Sequence, residues 1–160
     1  MQAKVNSEFP TPERLRAYGD LCFLYFRSST YQDRPFRFMR WMVQVPVDLG
    51  QYKLMYADEV PRAAFTFAML NEAAEDKLLS GMALQPAEWR SGDRMWIMDV
   101  LAPYGKGTAQ GVIRWIRENT PPEITTIRTL RPNPGNGRTR IVEHNRIEGS
   151  RWGARVTGEV

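Results

Sequence analysis

The stretch that most constrains this chain runs Ser91-Gly-Asp-Arg-Met-Trp-Ile-Met-Asp-Val-Leu-Ala-Pro-Tyr-Gly105, followed directly by Lys106-Gly107-Thr108. Arg94 to Leu101 is a bulky apolar run closed off by Ser91-Gly92 on one side and Pro103 on the other, the pattern of a buried strand. Gly107 to Asn119 places Val112, Ile113, Trp115 and Ile116 at helical spacing before Pro121-Pro122. Between them, Gly105, Lys106, Gly107 and Thr108 form a glycine turn in which backbone N–H groups can approach an anion at the positive end of a helix. Strand, turn and helix together suit a docking site for a phosphate-bearing cofactor or carrier. Asp99 interrupts the apolar strand. A carboxylate there is costly unless it is hydrogen-bonded or paired, so it either ties the strand end to a neighbouring turn or has a chemical task.

The rest of the chain supplies elements around this unit. Thr11-Pro12-Glu13 reads as a helix start, with Leu15, Tyr18, Leu21, Cys22, Tyr25 and Phe26 on one buried face up to about Ser28. A polar turn over residues 28–33 leads to Pro35, which opens a second helix. There Phe38, Met39, Met42 and Val43 face inward until Pro46 stops it. Two strands, 51–56 and 62–67, form a hairpin; Asn71 caps a short helix to Ser80; and two further strands, 124–130 and 139–144, flank the loop 132–137. The order lacks the regular alternation of a doubly wound sheet, which points to an α+β fold with a mostly antiparallel, mixed sheet and helices on its faces. A central strand ending in a glycine loop and helix also occurs in acetyltransferases of the GCN5-related type. The expected organisation is a flexible N-terminus over residues 1–10, one domain over 11–149 and a basic tail over 150–160.

Composition narrows the chemistry. The chain has 160 residues, enough for one core, and its single cysteine excludes an intramolecular disulfide. Cys22 falls on a buried helix face, and the lone His144 has no clustered partners, so no metal site is expected. No apolar run is long enough to span a bilayer, which leads to the expectation of a cytoplasmic protein without a membrane span. The net charge of +4, carried largely by arginine, favours an acidic partner. Arg34, Arg37 and Arg40 would form either a docking face for it or an ordinary solvated face.

The series Ser91-Gly92-Asp93-Arg94, Trp96, Asp99 and Ala102-Pro103-Tyr104-Gly105 closely resembles the RTX toxin-activating lysine acyltransferases, the haemolysin-C-like family. The likeness extends from Tyr18-Gly19 and the Ser28-Ser29 turn through Gln51-Tyr52, residues 58–61 and 68–79, to Arg131–Pro134 and His144. It implies an acetyltransferase-like fold and transfer of a fatty acyl group from acyl carrier protein to lysines of a toxin protein. It also implies that no cofactor is permanently bound and that acyl-phosphopantetheine is the donor. Asp99 falls where the family keeps its functional aspartate. A gap-free reading from Gly19 and from Pro35 puts Tyr31 where the family has its catalytic histidine. Tyrosine is a poor base at neutral pH, so Tyr31 is either a proton donor to a departing thiolate or a turn aromatic packed on the second helix.

The expected partners are therefore acyl carrier protein and a protein with acceptor lysines, with a homodimer open and nucleic acid disfavoured for want of a reader module. The expected site is Tyr31 and Asp99 for chemistry, and Gly105, Lys106, Gly107 and Thr108 for the donor. The competing reading is a catalytically inactive member of the same fold that acts in binding or assembly.

Overall fold

A computed structural model describes residues 8–148 and 151–160; the expected flexible N-terminus lies, for residues 1–7, outside the described residues. Helix α1 spans Pro12–Arg27, and the Thr11 side chain caps it by accepting from the Arg14 N–H at 3.3 Å. Its buried face is Ala17, Leu21, Leu24 and Tyr25. Leu15 and Phe26, expected on that face, are exposed. With 3.6 residues per turn they sit about 120° and 140° around the axis from Leu21, too far to share its contacts.

The second helical segment differs from the sequence expectation. Phe36–Phe38 form a 3-10 turn, Arg40–Gln44 a π-helical turn, and Val45–Leu49 helix α2, which ends at Gly50 with φ 68°. Pro46 therefore does not stop the helix. The Val45 N–H bonds to the Arg40 carbonyl, a widened turn, so a new register begins and Pro46 falls in a first turn where its missing N–H is tolerated.

Strands β1 (Tyr52–Ala57) and β2 (Val60–Leu70) are antiparallel, with Ala57 opposite Val60. The hairpin tip is just Asp58 and Glu59, with φ of 49° and 63°. Two left-handed residues match strand twist, although the sequence has no glycine to adopt them without strain. Helix α3 (Glu72–Leu79) has the expected Asn71 cap, which accepts from the Ala74 N–H at 2.8 Å. A 3-10 turn over Pro86–Trp89 then leads to β3 (Arg94–Leu101), and α4 follows over Lys106–Asn119. The chain closes with β4 (Thr126–Pro132), β5 (Thr139–Glu148) and β6 (Arg151–Glu159).

The strand order is β1-β2-β3-β4-β5-β6, which puts β3 in the interior of the sheet as expected. β3 and β4 are parallel and joined through α4, while β4 with β5 and β5 with β6 are antiparallel. This is the α+β architecture read from the sequence, consistent with an acetyltransferase-like fold. The segment expected to be a basic tail over residues 150–160 is instead strand from Arg151 to Glu159. Arg155 pairs with Glu143 across the ladder at 2.8 Å, and the Trp152 indole donates to the Arg117 carbonyl at 3.0 Å.

Packing divides the described residues into two compact units, one running to Thr66 together with Asp99–Val112, the other Phe67–Met98 with Ile113–Val160. In the first, Ala17, Leu21, Leu24 and Tyr25 of α1 close on Val43, Val47, Leu54, Ala64 and Leu101. The second holds a charge network built on the buried carboxylates Glu75 and Glu143. Glu75 accepts from the Trp96 indole at 2.8 Å, pairs with Arg94, and lies 3.6 Å from Arg128, which in turn pairs with Glu143 at 3.1 Å.

Candidate active site

The motif that carried the resemblance mostly braces the second unit. Ser91 accepts from the Asn71 N–H at 3.0 Å and donates to the Glu88 carbonyl at 2.8 Å, which holds the start of α3 to the turn before β3. Gly92 lies against the Leu70 and Asn71 backbone, where an added Cβ would come within 2.6 Å of main-chain atoms. That approach requires glycine. Arg94 and Trp96 both end on Glu75. Asp99 and the Ala102-Pro103-Tyr104-Gly105 end of the series belong to the first unit.

There Asp99 meets two tyrosines. Its Oδ1 accepts from the Tyr31 hydroxyl at 2.6 Å and its Oδ2 from the Tyr25 hydroxyl at 2.7 Å. Tyr25 is carried by α1, which the periodic apolar face buries. Tyr31 is carried by a tight turn in which its N–H bonds to the Ser28 carbonyl and its own carbonyl accepts from the Arg34 N–H, both at 2.9 Å. The two rings pack edge to face, with centroids 5.3 Å apart and planes at 80°. The structure thus brings Tyr31 and Asp99, separately named from sequence, into direct contact.

The electrostatics follow from what surrounds the carboxylate. Part of Asp99 reaches solvent, yet loss of hydration raises its pKa above the ordinary value of 3.8, while the hydrogen bonds from Tyr31 and Tyr25 and the charge of Arg34 pull the other way. Burial, followed by the charge and hydrogen bond of Asp99, pushes the Tyr31 phenol far above its ordinary value. Tyr31 therefore keeps its proton and points it at Asp99. The lone pairs of its oxygen remain to accept a hydrogen bond from another group. With Asp99 ionised, Tyr31 is placed to relay a proton rather than to act as a free phenolate.

The sequence places Tyr25 only on a buried helix face. A signal existed, because a buried tyrosine hydroxyl needs an acceptor and Asp99 was the other polar group in an apolar setting. Pattern alone did not join them across the chain.

Gly105 has φ 129°, a left-handed value, and ends the turn; Lys106, Gly107 and Thr108 are already the first turn of α4. The glycine loop is thus one residue, and the helix starts earlier than the sequence suggested. The Gly105 carbonyl accepts from Thr108 and Ala109 at 3.2 and 3.4 Å. An added Cβ at Gly105 or Gly107 would meet nothing within 4 Å, so the space beside this turn is open.

Two other candidates are settled by their surroundings. Burial raises the Cys22 thiol, which disfavours the thiolate a nucleophile needs. His144 lies within β5 with its Nδ1 3.2 Å from the Arg117 guanidinium. Burial, with Arg117 and Arg131 nearby, lowers its pKa to about 4. It is neutral near pH 7, and because a guanidinium can only donate, its Nδ1 is the acceptor and Nε2 carries the proton. Among the described residues no group of His, Cys, Asp or Glu side chains could hold a metal ion, and no helix is long and apolar enough to cross a membrane.

Comparison with known proteins agrees with this architecture. The pattern of the RTX toxin acyltransferase family matches residues 11–146. The chain is 28% identical over 129 residues to the protein-lysine palmitoyltransferase CyaC of Bordetella bronchiseptica, covering 80% of this chain and 69% of that one. It is 31% identical over 126 residues to the RTX-I toxin-activating lysine-acyltransferase ApxIC of Actinobacillus pleuropneumoniae, covering 78% and 71% respectively. With the protein-lysine myristoyltransferase HlyC of Escherichia coli the identity is 30% over 121 residues, covering 75% and 69%. These relatives are named as transferases, which does not favour a purely binding or assembly role. The chain belongs to the RTX toxin acyltransferase family.

Proposed function

We propose that this protein transfers a fatty acyl group from the phosphopantetheine thioester of an acyl carrier protein to lysine side chains of a toxin protein, with Tyr31 and Asp99 as the proton-handling pair. The observation that carries the reading is the 2.6 Å hydrogen bond from Tyr31 to Asp99. The neutral lysine amine attacks the thioester carbonyl carbon and a C–N bond forms. As the C–S bond breaks, the electron pair leaves on the thiolate. The surplus proton on nitrogen passes to the Tyr31 oxygen while the proton of Tyr31 moves to Asp99, and the reverse shift delivers a proton to sulfur. Both residues end as they began. A carboxylate whose pKa is raised by desolvation is a better acceptor in this relay than one in water.

The donor arm is assigned to the open side of Gly105, Lys106, Gly107 and Thr108, where first-turn N–H groups and the Lys106 charge suit a phosphate. Arg34, Arg37 and Arg40, all exposed, suit the acidic surface of the carrier.

The test is incorporation of labelled acyl groups from acyl carrier protein into a lysine-bearing toxin substrate. Wild type is expected to transfer, faster toward alkaline pH as the acceptor amine loses its proton. Asp99→Ala should fall by about a hundredfold or more. A folded Gly107→Val protein should lose affinity for the carrier in calorimetry, because the branched side chain fills the open space. Transfer undiminished in Asp99→Ala would overturn the catalytic assignment, and unchanged carrier binding by Gly107→Val would overturn the donor site.

A further inference from the structure

Tyr25 is not called for by the acyl-transfer chemistry, yet it makes the second of two hydrogen bonds on Asp99. Its ring is fully buried in the α1 core, so it cannot contact a substrate. Its oxygen lies 2.7 Å from Asp99 Oδ2 and 3.3 Å from the Met42 carbonyl, and its single proton goes to the nearer, charged acceptor. The fully buried Thr66 hydroxyl lacks a well-formed hydrogen bond and stands within electrostatic reach of the same oxygen. Core packing therefore clamps the Tyr25 hydroxyl on its ring side, and Asp99 clamps it on the other. Its edge-to-face contact with Tyr31 fixes the second tyrosine as well.

We infer that Tyr25 is a positioning residue of the acyl-transfer site, which holds Asp99 Oδ2 so that Oδ1 faces Tyr31 and keeps the carboxylate in its ionised form. The inference rests on the transfer reading given above. One geometric fact carries it and the electrostatics agree. A carboxylate held at both oxygens cannot rotate about its terminal torsion, whereas one held at Oδ1 alone can swing away from Tyr31. Each hydroxyl donor also favours the charged form of a group that desolvation pushes toward neutrality. The charged and titratable groups acting on Asp99 are Tyr25 from α1 and Tyr31 and Arg34 from the turn that follows. Arg34 acts through its charge, without a hydrogen bond to Asp99 in the structure. Loss of Tyr25 would leave Tyr31 as the one donor to Asp99 among the described residues.

The decisive variant is Tyr25→Phe, which keeps the ring and removes the hydroxyl. Two readouts are compared with wild type: the carbon-13 shift of the Asp99 carboxyl across pH, which needs no activity, and the pH profile of acyl transfer. The expected result is an upward move of the Asp99 titration and of the acid limb of kcat by about one pH unit, with kcat down about tenfold and KM for the acyl carrier unchanged. A purely structural role would lower stability and leave both pH midpoints in place. Asp99 titrating identically in Tyr25→Phe and wild type would overturn the inference, even if transfer fell. Should wild type transfer no acyl group, the functional reading fails, and the carboxyl titration still decides whether Tyr25 controls Asp99. If Tyr25→Phe does not fold, Thr66→Val decides: a smaller shift in the same midpoint supports the inference, and no shift overturns it.

Discussion

The two compact units each hold a shielded carboxylate, and they treat it in opposite ways. Glu75, in the second, is buried and surrounded by cations, with Arg94 in contact, Arg128 at 3.6 Å and the Trp96 indole as a neutral donor. Glu143, next along the same network, is joined by Arg128 and Arg155, and its pKa is lowered mainly by the hydrogen bond from Arg155. Asp99, in the first unit, meets two tyrosine hydroxyls and, among the described residues, no cation in contact, and its pKa is raised. A charge that is there to hold a fold is neutralised by its neighbours. A charge kept for chemistry is solvated by neutral donors, which preserve its ability to take up a proton.

The strongest way to break this contrast is to give Asp99 a titratable partner. Tyr31→His would set an imidazole with an ordinary pKa near 6.5 against the carboxylate and supply a base that tyrosine cannot. Acyl transfer near neutral pH is expected to rise by about a hundredfold. Steady-state assays alongside wild type check this, and an unchanged or lower rate with donor binding intact would mean that the hydroxyl relay cannot be replaced by a base at that place.

A matched amide substitution sharpens the contrast further. Glu75→Gln strips the counter-charge from Arg94 and Arg128 and should cost about 2 kcal/mol of stability in denaturant melts. Asp99→Asn should do the reverse. An acid whose pKa is raised by folding stabilises the native state in its protonated form, and that stability is lost as pH rises through the folded-state value. Above the folded-state value the ionised Asp99 is therefore a net burden that the amide removes. The variant should melt at a slightly higher temperature than wild type at alkaline pH, and the gap should close as pH falls below the ordinary carboxylate value of 3.8. Equal destabilisation by both substitutions would show that the two carboxylates play the same structural part.

Much of the fold was legible because its signals are local. The Thr11 and Asn71 caps, the strand from Arg94 to Leu101 and the helix after Gly105 each follow from residues a few positions apart. Local reading failed where a distant partner changed the meaning of a residue. Pro46 reads as a stop, yet a π-turn upstream lets the helix resume. Arg151 and Arg155 read as a basic tail, yet β5 offers Arg151 and Trp152 ladder partners in Glu148 and Arg146, and offers Arg155 a carboxylate.

For the site, the sequence alone determined that Asp99 is an acidic residue inside an apolar strand and that Tyr31 occupies a turn just after the first helix. It could not determine that their oxygens lie 2.6 Å apart or that Tyr25 completes the cradle. Those facts belong to tertiary structure, because Tyr25 and Tyr31 reach Asp99 only after α1 has packed its buried face into the core. A hydrogen bond senses position to within tenths of an ångström, whereas periodicity and composition specify only which side of an element a residue faces.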